Sequence, residues 1–250
     1  MRAKGSDAAE APRPQRLRPR DAATLIIVDR TAGEPRLLMG RRRTDQVFMP
    51  GKYVFPGGRV DRADRSIASA DQLSPLDEAK LLLAVKGSAS PVSARAIALA
   101  AIRETFEEAG LLIGAPGTAS TKAANGTWNK FLSHGLLPKP GALSFFARAV
   151  TPPGRPRRFD TRFFWTDRTA VALQLAACDD ELTDLNWFTV EEIRGLDLPA
   201  ITRVVIEDLC DHLKAGAADL PVPFYHHRAG SFRRELLTVH HCTNAHDPSY

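Results

Sequence analysis

Three carboxylates and one guanidinium could act together in the run Arg103-Glu104-Thr105-Phe106-Glu107-Glu108-Ala109-Gly110. On a helix, Glu104, Glu107 and Glu108 stand at i, i+3 and i+4, so their side chains crowd one face. Like charges that close repel, and no Lys or Arg stands four residues after any of them to compensate, as a solvated face would usually provide. Hard divalent cations of the Mg²⁺ type take oxygen ligands, and a carboxylate triad on a rigid helix supplies them. Upstream, Phe55-Pro56-Gly57-Gly58 allows a tight turn, because glycine tolerates positive φ and leaves its carbonyl unshielded.

The elements that must hold these residues can be read around them. Pro91 and Ser93 predict a helix start, with Ser93 as cap, and Gly110 predicts the stop, so the acidic helix spans 93–109. Ile97, Ala100, Ala101 and the Thr105 methyl line its opposite, inward face. The β-branched run 24–28, the turn residues 31–35 and the run 36–40 read as a hairpin. A helix with Ser74 as cap and Gly87 as stop is expected over 75–86, inside a segment, 61–92, that either selects substrate or elaborates the surface. After the acidic helix, 111–114 leaves it and 115–125 reads as a loop. A short helix at 128–134, strands at 143–150 and 157–165, a short helix from Val190 and an amphipathic helix at 199–214 with Ile201, Val204, Val205, Leu209 and Leu213 complete the pattern.

Composition narrows the class. A chain of 250 residues that is 44% hydrophobic can bury a sizeable core, and one α/β or α+β domain over 22–250 behind a flexible tail at 1–21 fits it. The formal charge of +5 is modest, does not call for nucleic acid, and suits a small anionic substrate. Three widely spaced cysteines, Cys178, Cys210 and Cys242, point to a reducing compartment rather than a disulfide framework. No apolar run approaches the ~18 residues that span a bilayer. The thiols and the lack of an export signal give a cytoplasmic expectation, and homodimerisation is left open. His226, His227, His240, His241 and His246 lack a recognised zinc spacing and read as a surface hairpin and tail.

Together the two stretches resemble the Nudix box, G-x5-E-x7-R-E-U-x-E-E-x-G-U, at Gly58, Arg103, Glu104, Glu107, Glu108, Gly110 and Leu111. Thr105 takes an aliphatic position. Gly58 and Arg103 are 45 apart where the pattern has 14, so 31 residues are inserted, and counting eight back from Arg103 reaches Arg95 where the first glutamate belongs. Split boxes of this kind resemble the peroxisomal coenzyme A diphosphatases and their bacterial relatives. Leu37-Leu38-Met39-Gly40-Arg41, Gly51 and Phe55-Pro56-Gly57-Gly58 partly match the upstream signature of that branch, with Arg42-Arg43 in place of Ser-Ala.

The resemblance implies an α/β/α sandwich around a mixed β-sheet, with a helical insertion inside the box. It implies a metal-dependent hydrolase that cleaves a diphosphate linkage in a nucleoside-diphosphate derivative, with Mg²⁺ or Mn²⁺ held by Glu104, Glu107, Glu108 and the Gly57 carbonyl. Coenzyme A or an acyl derivative is the favoured substrate. A dinucleotide such as ADP-ribose or NADH is the alternative within the class, and a non-catalytic sensing or scaffold module the alternative outside it. Glu181, six residues before Trp187, or a box glutamate such as Glu107 would take the proton, and Arg103 would orient the glutamates. Arg41, Arg42 or Arg43 could pair with phosphate through the guanidinium fork, as could Arg157, Arg158 or Arg162 on a strand facing the cleft. The substrate-binding candidates are thus Arg41, Arg43, Phe55, Arg158 and Arg162.

Overall fold

The computed structural model describes residues 17–85, 89–119, 126–216 and 219–239. Most of the expected tail, the helix stop at Gly87, residues 120–125 of the expected loop, and His240, His241, Cys242 and His246 lie outside the described residues. In chain order the first half is β1 (Arg20–Asp29), β2 (Arg36–Arg42), β3 (Tyr53–Val54), β4 (Gly57–Arg59), α1 (Pro75–Leu81), α2 (Pro91–Ala109), β5 (Leu111–Pro116) and α3 (Gly126–Leu132). There follow β6 (Leu136–Pro138), β7 (Ser144–Val150), β8 (Phe159–Asp167), β9 (Val171–Gln174), β10 (Leu182–Thr189), α4 (Val190–Arg194), α5 (Ala200–Ala215), β11 (Val222–Arg228) and β12 (Ser231–Leu237).

The main sheet runs β10-β2-β1-β8-β7-β11-β12, with β3 on β2 and β4 on β1. It is mixed: β1 pairs parallel with β8 and β7 with β11, while the other pairs are antiparallel. Its central strand explains the unbroken apolar run in β1. Ala23, Leu25 and Ile27 pack toward α2, whereas Ile26 and Val28 pack toward α5, so both faces of the strand are buried. Helices on both sides make an α/β/α sandwich, as the resemblance implied.

Helix α2 is enclosed on most of its circumference, and its alanines at 94, 96, 98, 100 and 101 are all buried. It begins earlier than expected. Ser90 is the cap, accepting from the Ser93 N–H while Ser93 returns the favour to the Ser90 N–H, with Pro91 in the first turn. Ser93 therefore closes the capping box and is not itself the cap. Helix α1 keeps its Ser74 cap but stops at Leu81. Helix α5 buries Val205, Ile206 and Leu209, while Val204, expected on its apolar face, is exposed.

A strand was missed just after the acidic helix. Leu111, Leu112 and Ile113 are fully buried, and β5 pairs with β6 and β9 in a second, three-stranded sheet. Gly110 makes that turn possible. It sits at φ 67° as the C-cap, donates to Phe106 O at 3.0 Å and accepts from Leu175 N at 2.9 Å. A methyl group there would meet Leu175 O at 2.2 Å. Gly110→Ala is therefore expected to destabilise the fold by about 2 kcal/mol or more, from positive φ and the backbone clash together. Urea denaturation measures this, and an unchanged midpoint would mean that the chain at Leu175 gives way freely.

Candidate active site

The site is built around a buried cation. Arg103 is 5% exposed and every arm of its guanidinium is engaged. Nε and Nη2 donate to the two carboxylate oxygens of Asp64 at 2.9 and 3.1 Å, and Nη2 also donates to Arg59 O at 2.9 Å. Nη1 donates to Glu104 at 2.9 Å and to Glu107 at 2.8 Å. Asp64, fully buried, further accepts from the Trp128 indole at 2.8 Å and the Asp61 N–H at 2.7 Å.

Asp64 is the residue that sequence reasoning missed. It lies six residues after Gly58, the place that G-x5-E assigns to the first acid of the box. The insertion thus falls between this acid and Arg103, and counting back from Arg103 crossed it and landed on the wrong residue. Arg95 instead reaches the start of the insertion, donating to Ile67 O and, at 3.2 Å, to Ser69 Oγ. Forward counting from Gly58 was the available signal.

The acids on α2 have unequal surroundings. Glu108 is 2% exposed and accepts from the Gly57 N–H at 2.8 Å. Burial, then repulsion from Glu104, hold its carboxyl well above the ordinary range, against the pull of the Gly57 N–H and Arg42. Glu104 is pushed up to about 7, first by burial, with Glu107 adding to it and Arg103 pulling back. Burial works against the charge on Arg103, yet Asp64, Glu104 and Glu107 outweigh it and raise its proton affinity above the usual guanidinium value. Both proton affinities rise, but for opposite reasons: the surrounding acids favour the charge on Arg103, whereas burial disfavours the charge on Glu104. Glu107 also receives the Thr127 hydroxyl, so the start of α3 touches the cluster twice, through Thr127 and Trp128.

Backbone approaches the acids from two sides. A methyl group on Gly58 would stand 2.4 Å from Glu104 Oε1, so only glycine lets β4 come this near. Gly57 is placed beside Glu108 by its N–H. On the other side, Cys178 and Asp179 donate their N–H groups to Glu107 O at 2.8 and 3.3 Å, tying the chain before β10 to the end of α2. That chain carries Glu181, which pairs with Arg42 at 2.5 Å and lies close enough to Glu108 to repel it.

The other candidates fall elsewhere. Arg41 and Arg43 are exposed beside the Arg42–Glu181 pair; Arg41 donates to Gly51 O at 3.2 Å, and Arg43 pairs with Asp45 at 2.7 Å. Phe55 is 4% exposed among Met39, Phe146 and Phe163 in the core on the α5 side, which leaves no face of its ring for a ligand. Arg158 spends its donors on Thr151 O and Leu17 O, at 3.0 and 2.7 Å. Arg162 is 2% exposed and locked between Asp21 and Asp160, at 2.6 and 3.2 Å, so it holds β1 to β8 and does not face a cleft.

Five acids, Asp64, Glu104, Glu107, Glu108 and Glu181, thus share two cations, Arg103 and Arg42, which leaves an excess of three negative charges when all are ionised. Such a donor set, all oxygen and largely buried, suits a hard divalent cation. The carboxylates are not a finished cage, since among the described residues no three His, Cys, Asp or Glu side chains stand close enough together to hold an ion. Arg103 occupies Glu104 and Glu107, and the Gly57 N–H occupies Glu108.

Gly57 and Gly58 lie in β4 without positive φ, so they form a strand edge beside the acids and not the tight turn expected. An acidic helix facing this glycine strand, on a mixed sheet covered on both sides, has the Nudix-type fold. The comparisons agree. No family model matches the chain. It is 30% identical over 187 residues to the putative nudix hydrolase 7 of Caenorhabditis elegans, covering 69% of this chain and 52% of that one. It is 31% identical over 178 residues to the acyl-coenzyme A diphosphatase NUDT19 of Gallus gallus, covering 51% and 47%. The crystal structure of a NUDIX hydrolase from Alicyclobacillus acidocaldarius superposes with a TM-score of 0.56 at 27% identity, over 76% of this chain and 90% of that one. In sequence and fold the chain is similar to Nudix hydrolases, and it spans about half the length of these two curated relatives.

Two outcomes are expected from this geometry. Asp64→Ala should cost about 3–5 kcal/mol, the penalty for leaving a buried guanidinium without its main partner, whereas Arg95→Ala should cost about 1 kcal/mol. Chemical denaturation distinguishes them, and equal losses would reinstate Arg95. The second outcome concerns pH. The carboxyl of Glu104 binds its proton more tightly folded, near pH 7, than unfolded, near 4.5, so the folded state holds more protons in between. Stability conferred by this group is full below pH 4.5 and is lost as pH rises toward 7, by up to about 3 kcal/mol. Unfolding of chelator-treated protein at pH 5 and pH 7.5 reads the loss, and added Mg²⁺ should reverse it at the higher pH. A flat profile would mean that Glu104 is ionised throughout.

Proposed function

We propose that the chain is a metal-dependent diphosphatase whose substrate is coenzyme A or an acyl-coenzyme A. The observation that carries the catalytic part is the cluster of Glu104, Glu107 and Glu108 around an Arg103 that Asp64 holds in place, so the box is complete across its insertion. The split box, the partial signature from Leu37 to Gly58 and the diphosphatase named among the relatives support the substrate.

Mg²⁺ or Mn²⁺ held by Glu104, Glu107, Glu108 and the Gly57 carbonyl would neutralise the diphosphate and lower the pKa of the attacking water. The chain's own residues divide the remaining work. Arg103 positions Glu104 and Glu107, and Asp64 fixes Arg103 from behind. Glu181, at the mouth of the site beside Glu108, receives the proton of the water, with Arg42 fixing its orientation. Arg41 and Arg43, on the exposed side of the Arg42–Glu181 pair, meet a substrate phosphate, for which Arg43 exchanges Asp45. Water enters from the exposed side, since the opposite side is closed by Phe106 and Trp128, both essentially buried.

The test is product release from coenzyme A, acetyl-coenzyme A, ADP-ribose, NADH and diadenosine polyphosphates, with and without Mg²⁺ or Mn²⁺. Metal-dependent release of adenosine 3′,5′-bisphosphate and phosphopantetheine is expected, falling about 10²–10⁴-fold in Glu107→Gln. Cleavage of ADP-ribose or NADH instead would retain the chemistry and reassign the substrate. A folded protein inactive on the whole panel would be a sensing or scaffold module.

A further inference from the structure

Strand β12 closes one end of the main sheet, and among the described residues nothing pairs with its outer edge. It is seven residues long, contains no proline, and its pairing with β11 runs without a bulge from Val222–Leu237 to Arg228–Ser231. Six of the seven are exposed, with Phe232 at 54% and Leu236 at 56%. An open edge of this length is a template for another strand unless something blunts it.

The hairpin turn determines which backbone groups face outward. Ala229 and Gly230 have φ of 50° and 79°, as a two-residue type I′ turn requires, so Arg228 and Ser231 beside it form a hydrogen-bonded pair. Alternation then directs the N–H and C=O groups of Ser231, Arg233, Glu235 and Leu237 toward β11. Those of Phe232, Arg234 and Leu236 point out of the sheet.

We infer that this edge pairs with the same edge of a second copy, antiparallel, about a two-fold axis at Arg234. That register makes Arg234 a hydrogen-bonded pair with its own copy and does the same for Phe232 and the partner's Leu236, so every outward group is used. The side chains are self-complementary in the same register. Phe232 lies across from the partner's Leu236, apolar against apolar, and Arg233 lies across from the partner's Glu235. Both relations occur twice by symmetry. The one like-charge encounter, Arg234 with its copy, is offset within each protomer, because Arg234 already pairs with Asp208 at 3.0 Å and donates to the Tyr225 hydroxyl at 3.0 Å. A strand protected from self-association would carry charges of one sign along this edge, and β12 carries both in complementary order.

Sedimentation and light scattering on the full chain test the inference. The wild type should be a dimer at micromolar concentration. Arg233→Glu and Glu235→Arg should each set like charges against each other twice and weaken the dimer by about tenfold or more. Their equimolar mixture should dimerise again, because each variant then faces the opposite charge on the other. Circular dichroism matching the wild type establishes that these exposed substitutions leave the fold intact. As a reading independent of charge, Arg234→Cys places two thiols at a Cα separation of about 5.5 Å, which suits a disulfide, and oxidation should yield a covalent dimer. A monomeric wild type, single variants that dimerise as the wild type does, a mixture that stays monomeric, or failure of Arg234→Cys to cross-link would each overturn this assignment.

Discussion

The constraint on which the rest of the site depends is the burial of one guanidinium. Removing Arg103 from water is costly, and the cost is recovered only if all its donors are satisfied by nearby acceptors. Those acceptors come from separate parts of the chain: Arg59 O at the end of β4, Asp64 after it, and Glu104 and Glu107 on α2 itself. Because Asp64 also takes the Trp128 indole N–H, α3 is drawn into the same cluster. Five donors in a rigid plane leave little freedom, so the direction in which each carboxylate faces follows from where the guanidinium lies.

This arrangement explains how the box survives a long insertion. Lengthening a loop costs little entropy once its ends are held, about 0.6 kcal/mol for each doubling. Here the ends are held by Asp64 on one side and the Ser90 capping box on the other. The inserted segment is also pinned along its length. Asp71 accepts from the Gly141 N–H, Asp77 from the Phe145 N–H, and Arg148 donates to Leu83 O and Ala84 O at the end of α1. Arg148 is in turn paired with Asp160, which also holds Arg162. The arginine expected to grip substrate from β8 is thus part of the footing beneath the insertion.

What could be read from the sequence divides along physical lines. Patterns carried by neighbouring residues were legible: the β-branched hairpin of β1 and β2, the amphipathic α5, the acidic face of α2 and its glycine stop. Patterns that depend on tertiary partners were not. Leu111 to Pro116 has no alternation because it is buried almost throughout, so it could not be told from a helix exit. Phe55 and Arg162 have the chemistry of ligand-binding residues, and only packing reveals that one fills the core and the other joins strands. Asp64 was concealed by arithmetic across an insertion, although the spacing from Gly58 was intact.

The excess negative charge of the site also bears on the order of events. Five acids against two cations make the bare cleft repel a diphosphate, which is itself anionic. The exposed Arg41 and Arg43, engaged with Gly51 O and Asp45, do not offset the interior charge. On the proposed function a divalent ion would therefore serve the encounter as well as the chemistry, since burial and neighbouring acids raise the proton affinity of Glu104 and Glu108. Protons and metal compete for the same oxygens. The fold, by burying Glu104 beside Glu107, has placed that competition near neutral pH for this carboxylate.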